Sequence, residues 1–338
     1  MSLKYQELLN LPIKNLECSL NDLPLNYQPL SENTLKILAG FPLKKIAESI
    51  HSDTLALKWE SNILPHQTQL PGFALKNIKN AIAVVSGKGG VGKSTISTNL
   101  ACATAILGAK VGLLDADIYG PSLPTMMGIH HPPSINDEQR YLPPKQFDVE
   151  CMSMGLLSEN GPLIWRGPML AKALMQMLDQ TAWSNLDYLF IDLPPGTGDI
   201  PLSLTQKIPL SGAVIVTTPQ TIATLDAEKA LEMFLKLNIP ILGIVSNMAI
   251  HECEKCHHQS HIFGQHGAEE LAKKYNVPIL GQVPLDTSIR EQGDSGVPIS
   301  TLDTTKGWFW QQLALKLTVA LSQNPLNRQS KIPPIRQE

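Results

Sequence analysis

The sequence predicts a doubly wound α/β fold: a mostly parallel sheet covered by helices on both faces, with a small N-terminal α+β appendage. Three observations lead there. From Ile78 onward, short apolar runs alternate with helical patterns. Those runs are continuous rather than alternating in polarity, as strands buried on both faces must be. The first run leads into a glycine-rich turn that opens a helix, the place where such sheets hold phosphate.

Residues 1–75 are rich in Leu, Asn and Pro and carry no chemical motif. Within them 35–50 reads as a helix and 54–59 as a strand, and the appendage ends in a linker around Pro71-Gly72. His51 and His66 stand alone and read as surface or packing residues. The main domain spans 76–323. Its strands are expected at 81–85, 111–115, 188–192, 213–218, 242–247 and 279–284, with helices between them at 171–179, 224–237 and 268–275. A last helix is expected over 308–322, with Trp310, Leu313, Leu317 and Leu321 on one face. Its single basic residue, Lys316, gives anionic lipid little to hold, so the helix reads as docked on the core. Residues 324–338 are polar and proline-bearing and read as a disordered tail.

The turn after the first strand is Gly87-Lys88-Gly89-Gly90-Val91-Gly92-Lys93-Ser94-Thr95, which fits G-x-x-x-x-G-K-[ST]. Glycines let successive backbone N–H groups curl around an anion, and the following helix presents its positive end to the same phosphates. Lys93 can bridge the outer phosphates, and the Ser94 hydroxyl can bind Mg²⁺. Asp115-Ala116-Asp117 ends the second strand. Asp192 ends the third and precedes Leu193-Pro194-Pro195-Gly196-Thr197-Gly198-Asp199. A carboxylate at a strand end beside a phosphate loop is placed to hold Mg²⁺, which suits Asp192. The Gly196 N–H can meet the terminal phosphate, and Asp115 can support a switch loop. Any one of these aspartates alone could be a cap or a turn residue; three at neighbouring strand ends point to chemistry.

A second chemistry lies at Cys253-Glu254-Lys255-Cys256. Paired thiolates suit an Fe–S cluster, Zn²⁺ or Cu(I). An all-cysteine [4Fe–4S] site needs four thiolates, which two copies of the chain would supply at a two-fold axis. Three alternatives stand beside it: zinc held within one chain by Cys253, Cys256 and one or two of His257, His258 and His261, a redox dithiol, and a bland surface pair. Cys102 reads as core; Cys18 and Cys151 read as structural.

Five cysteines in 338 residues argue against a disulfide framework. Net charge is −3 and the pI about 6.3, which gives no reason to expect nucleic acid as a partner. Residues 1–10 contain no apolar leader and no run is long enough to span a bilayer, so the expectation is a cytoplasmic protein with no membrane partner.

Lys88, directly after the first glycine of the loop, resembles the early lysine of the deviant phosphate-loop ATPases, the group of MinD, ParA and the nitrogenase iron protein. The resemblance implies a homodimer in which Lys88 reaches the partner's nucleotide and acts in catalysis with Lys93. It assigns Asp117 to orienting the attacking water and Asn247 to reading the base. The loop, the 114–122 stretch, Trp165-Arg166-Gly167-Pro168, Pro194-Pro195-Gly196-Thr197-Gly198-Asp199 and the cysteine pair followed by His261-Ile262-Phe263-Gly264 occur in this order. Together they resemble the Mrp/ApbC family of ATP-binding iron–sulfur cluster carriers over roughly residues 76–320. That family implies a slow Mg²⁺-dependent ATPase whose dimer holds a bridging [4Fe–4S] cluster on Cys253 and Cys256 and passes it to apo Fe–S proteins. A MinD- or ParA-like switch with a structural zinc at the cysteine loop is the alternative. Residues 1–75 match the family's N-terminal domain poorly, and Glu254-Lys255 and the double histidine depart from its commonest loop.

Overall fold

In the computed structural model of the chain, residues 9, 11–13, 16, 18–31, 33–52, 55–117, 120–157 and 167–327 are described. β1 (Asn26–Ser31), β2 (Thr34–Ala39), α1 (Lys44–Ser49) and β3 (Ala56–Ser61) form the appendage, a sheet in the order β1-β2-β3 that is antiparallel and then parallel. The helix expected over 35–50 is therefore a strand followed by a short helix. Leu35, Ile37 and Ala39 are buried while Thr34, Lys36 and Leu38 are only partly so, the two-residue period of a strand. Gly40 and Pro42 then interrupt the chain before α1. The strand expected at 54–59 lies at Ala56–Ser61, and Thr54 is outside the described residues.

The main domain follows as β4 (Ile78–Ser86), α2 (Lys93–Ile106), β5 (Val111–Asp115), α3 (Leu123–Met126), β6 (Ser134–Ile135), β7 (Tyr141–Leu142), β8 (Lys145–Gln146) and β9 (Val149–Ser153). Next come α4 (Gly167–Gln180), β10 (Leu186–Asp192), α5 (Asp199–Thr205), β11 (Gly212–Thr217), α6 (Thr221–Lys236) and β12 (Ile241–Ser246). The chain finishes with β13 (His251–Glu252), β14 (Gln259–Ser260), α7 (Gly267–Tyr275), β15 (Ile279–Gln282), α8 (Thr287–Asp294) and α9 (Thr305–Ser322). Eight strands make the central sheet, ordered β15-β12-β11-β4-β10-β5-β9-β8, and only the edge strand β8 is antiparallel. All six expected strands are in it. β8 and β9 escaped the sequence reading because Glu150 breaks the apolar run of β9 and β8 is two polar residues.

β4 sits mid-sheet, and its side chains divide between two cores. Ile82 and Val84 pack with Leu100, Trp310 and Leu317 on one face. Ala81, Ala83 and Val85 pack with Leu174, Leu231 and Phe234 on the other. Phosphate-loop chemistry therefore starts from a strand fixed on both sides, at the point where the strand order reverses. The appendage shares the first core through Leu35, Ile37, Phe41 and Ile46, and the Lys44 N–H donates to Leu107 O at 3.1 Å beyond the end of α2. α9 docks by the expected face: Trp310, Leu313, Leu317 and Leu321 are all buried. Among the described residues no helix is long and apolar enough to cross a membrane.

The tail expected to be disordered from 324 is held as far as Asn327. Gln67 N donates to Pro325 O and Asn327 N to Pro65 O, each at 2.9 Å. Residues 328–338 lie outside the described residues. Between these two bonds sits His66, 3% exposed, with Nδ1 3.0 Å from Asn80 Oδ1. Burial holds its imidazole below the usual value near 6.5, partly offset by the Asn80 and Ser322 hydrogen bonds. A depressed histidine contributes stability that is complete above its unfolded pKa and lost as pH falls below it. The expected result is that urea stability drops from pH 7 to 5 by more in the wild type than in His66→Gln. Equal pH slopes for the two would contradict it.

Candidate functional site

The carboxyl ends of β4, β5, β10 and β12 converge, and the phosphate loop lies among them. Gly92 ends the loop with φ +83°, a left-handed backbone that admits glycine readily. A methyl group there would lie 2.1 Å from Asn247 Nδ2. Gly87 makes the closest approach: a methyl group would lie 2.0 Å from the carbonyl carbon of Asp226, in α6. The Ser86 hydroxyl donates to Lys88 O at 2.9 Å, and Lys88 is half-buried. Gly89 and Gly90 are exposed, Val91 is buried, and Ser94 and Thr95 are half-buried in the first turn of α2.

Lys93 is buried, and its Nζ lies 2.7 Å from Asp192 Oδ1, also buried. Asp115 lies beside this pair. It accepts from Asp117 N at 3.0 Å, Ser122 N at 3.2 Å, Leu123 N at 3.3 Å and the Ser153 hydroxyl at 3.2 Å. Its carboxylate thus anchors the loop leading into α3. Burial first, and then the Asp192 charge, push the Asp115 carboxyl up to about 7. Asp117 is half-buried two residues beyond the strand end. The glycine turn after β10 leans on the phosphate loop: Gly196 N donates to Ser86 O at 2.8 Å. Asn247 is buried and donates from Nδ2 to Val91 O at 2.8 Å. All these candidates share one end of the sheet. Ser153 was missed because its strand was missed.

The donor set fits a magnesium-bound nucleoside polyphosphate. A glycine cradle with no room for side chains, a buried ammonium, a hydroxyl on the helix and a strand-end carboxylate are hard oxygen and cationic partners for phosphate and Mg²⁺.

The cysteine pair lies on a hairpin. β13 and β14 pair antiparallel, His251 opposite Ser260 and Glu252 opposite Gln259. Cys253 N donates to His258 O at 3.0 Å and His257 N to Cys253 O at 2.8 Å, with His257 at φ +56°. Inside that turn the Cys253 sulfur accepts the Cys256 and Lys255 backbone N–H groups and the Cys256 thiol, and these hold its pKa below the ordinary thiol value. Cys256 is exposed. A turn that aims N–H groups at one sulfur while presenting the second outward is suited to a thiolate-bound metal. Two of the nearby imidazoles have a partner at Nδ1. His257 Nδ1 lies 2.8 Å from Glu252 Oε1, and His261 Nδ1 3.1 Å from Ala249 O. Among the described residues no three of His, Cys, Asp and Glu are grouped to hold a metal. The Glu252–His257–Gln259 clamp across the hairpin has no sequence signal. Cys102 and Cys151 are buried and Cys18 is partly so. Trp165 and Arg166 lie outside the described residues, and Gly167-Pro168 open α4.

Residues 77–317 match the ParA family model described as NUBPL iron-transfer P-loop NTPase. The chain is 54% identical over 260 residues to an iron–sulfur cluster carrier protein of Pseudomonas fragi, covering 75% of this chain and 90% of that one. It is 49% identical over 239 residues to the mouse iron–sulfur cluster transfer protein NUBPL, covering 70% and 73%. Among solved structures it is similar to a nucleotide-binding protein of Archaeoglobus fulgidus in complex with ADP. That match has TM-score 0.59 and 40% identity over 66% of this chain and 88% of that one. The Pyrococcus furiosus cell-division ATPase MinD, at 23% identity and TM-score 0.54 over 70% and 97%, shares the fold.

Proposed function

Because the chain belongs to the ParA-type family of NUBPL iron-transfer P-loop NTPases, we propose that it is a homodimeric ATP-binding and ATP-hydrolysing carrier of a [4Fe–4S] cluster, which it transfers to apo-proteins. The observation that carries this reading is the cysteine hairpin. One chain presents two thiols, one of them with its pKa lowered by backbone N–H groups, and groups no third ligand with them among the described residues. A four-thiolate cluster is then completed by the same hairpin of a second copy. Exposed apolar residues give that copy a surface to cover. Ile262 follows the hairpin, and Ile222 and Leu225 project from α6. The two places adjoin, since Gly267 packs against Pro219 O and Thr224 at the start of α6.

In this reading Lys93 holds the outer phosphates, Ser94 and Asp192 hold Mg²⁺, and the 87–92 backbone cradles the phosphates. Mg²⁺ supplies charge neutralisation of the phosphates and fixes their geometry. Lys88 reaches the partner's nucleotide, Asp117 orients the attacking water, Gly196 meets the terminal phosphate once it leaves Ser86 O, and Asn247 reads the base. Hydrolysis gives ADP and phosphate through positioning and charge stabilisation, with no covalent intermediate. Transfer exchanges the thiolates of Cys253 and Cys256 for those of the recipient and needs no net electron change.

The test is anaerobic reconstitution with iron and sulfide, with sedimentation to count chains. About four irons and four sulfides per two chains are expected, and neither in Cys253→Ala/Cys256→Ala, which still binds nucleotide. Full cluster in the double variant would defeat the reading, and tight zinc without sulfide in the wild type would defeat it in favour of the zinc-bearing switch.

A further inference from the structure

The segment that becomes the cysteine hairpin leaves the sheet at Asn247, the residue that grips the phosphate loop. Its Nδ2 donates to Val91 O at 2.8 Å, a contact that exists because residue 92 has no side chain. Val91 lies between two glycines with positive φ, so its peptide sits in the stretch of the loop whose N–H groups would face a phosphate. Five residues lie between Asn247 and Cys253, and the stretch is pinned at successive points. Ala249 N donates to Val283 O at 2.9 Å, and Leu285 N to Ile250 O at 2.8 Å. One side chain closes the loop across its base. His261, on the return limb, lies with Nδ1 3.1 Å from Ala249 O. The acceptor is a carbonyl, so this nitrogen carries the proton. Two hydrogen bonds, Asn247 to Val91 and His261 to Ala249, are thus joined by the two-residue step from Asn247 to Ala249, and the cysteine turn hangs between Ala249 and His261.

We propose that His261 is a positioning residue that passes nucleotide occupancy at the phosphate loop to the Cys253/Cys256 pair. The proposal rests on the carrier reading above and names how its two sites are joined. A shift of the Val91 peptide moves Asn247. His261 ties the return limb to Ala249 at the base, below the β13–β14 ladder, so a shift of Ala249 reaches both limbs and the two sulfurs change their aim as a unit. Without the Ala249–His261 bond the β13–β14 ladder still joins the limbs, but the return limb loses its tie to Ala249 and the base of the hairpin is held from the outgoing side alone. In this role His261 acts through its Nδ1–H bond to Ala249 O and orients the hairpin rather than ligating the metal.

The experiment measures release of the reconstituted cluster to an iron chelator, with and without a non-hydrolysable ATP analogue. It compares the full-length wild type, His261→Leu and His261→Asn, each checked for folding by urea denaturation. Coupling of ordinary size changes the wild-type release rate by about fivefold or more. His261→Leu is expected to bring that ratio to about one. His261→Asn is expected to keep it, because its carboxamide N–H can reach the place of Nδ1–H. A wild-type ratio retained in His261→Leu overturns the proposal, as does a wild-type ratio of one. Loss of the cluster in both variants, with the wild type loaded, overturns it in favour of His261 as a ligand. A wild type that assembles no cluster removes the carrier reading and this proposal together, whereas a failure confined to the His261 variants leaves the carrier reading standing.

Discussion

Replacing Lys93 by alanine is expected to destabilise the nucleotide-free protein by about 3–5 kcal/mol, as removal of one partner from a buried ion pair does. Lys93 and Asp192 are 2.7 Å apart, and both are buried. The variant would leave the Asp192 carboxylate in a dry site with Asp115 beside it. Asp115 is already pushed up to about 7 by burial and by Asp192, against the pull of the Asp117 and Leu123 N–H groups and then of the Lys93 charge. Removing the ammonium therefore leaves two carboxylates and no cation, and at least one must take a proton. Asp192→Asn alone strands the ammonium and is expected to destabilise as well. The double variant Lys93→Met/Asp192→Leu is expected to recover most of the stability, because a buried pair replaced by apolar groups is close to neutral. It should nevertheless bind no nucleotide, since affinity needs the charges that stability does not. Urea denaturation of the three variants, with a fluorescent ATP analogue titrated into each, separates the two quantities. An unchanged urea midpoint in Lys93→Ala would show that the pair is not desolvated.

The same pair shows what could be read in advance and what could not. Lys93 and Asp192 were legible because their chemistry is tied to local sequence, a glycine turn for one and an apolar strand end for the other. Their direct contact was not, because it spans strands brought together only by the sheet order. Ser153 and its bond to Asp115 were hidden for a further reason. Glu150 interrupts the apolar run of β9, and a strand recognised by continuous apolarity disappears when one rim residue is charged. The 35–50 error is the opposite case. Leu35, Ile37 and Leu38 fit a helical stripe and an alternating strand about equally well over so few residues. β1 and β3 decide the matter by offering hydrogen-bond ladders on both sides. In the cysteine loop the spacing announced a metal site. The clamp by Glu252 and the bond from His261 to Ala249 depend on hairpin register, which a polar six-residue turn does not reveal.

Gly87→Ala is expected to lower stability with or without nucleotide, and by more than alanine at Gly89 or Gly90. The new methyl group would sit 2.0 Å from the carbonyl carbon of Asp226, 2.1 Å from its oxygen and 2.5 Å from Ala227 N. Backbone cannot swing aside as a side chain end can, so α6 must retreat on the order of 1 Å from a close-packed interior. That helix buries Ala223, Ala227, Ala230, Leu231 and Phe234, so the retreat opens gaps along its length. Overpacking of this kind costs about 1–3 kcal/mol, and here the obstacle is main chain. Two neighbours isolate the cause. Gly90 has open space around it but φ +81°, so Gly90→Ala pays only for left-handed backbone, about 1–2 kcal/mol. Gly89 has ordinary φ and meets nothing nearer than Pro195 Cγ at 4.0 Å, so Gly89→Ala is expected to fold as the wild type does. Any loss in Gly89→Ala is confined to nucleotide binding, where a side chain competes with the phosphates for the cradle. Thermal or urea unfolding should therefore rank the three as Gly87→Ala least stable, then Gly90→Ala, then Gly89→Ala. If Gly87→Ala unfolds with Gly89→Ala, then α6 yields without penalty and the close approach of strand end to helix is not what fixes the loop.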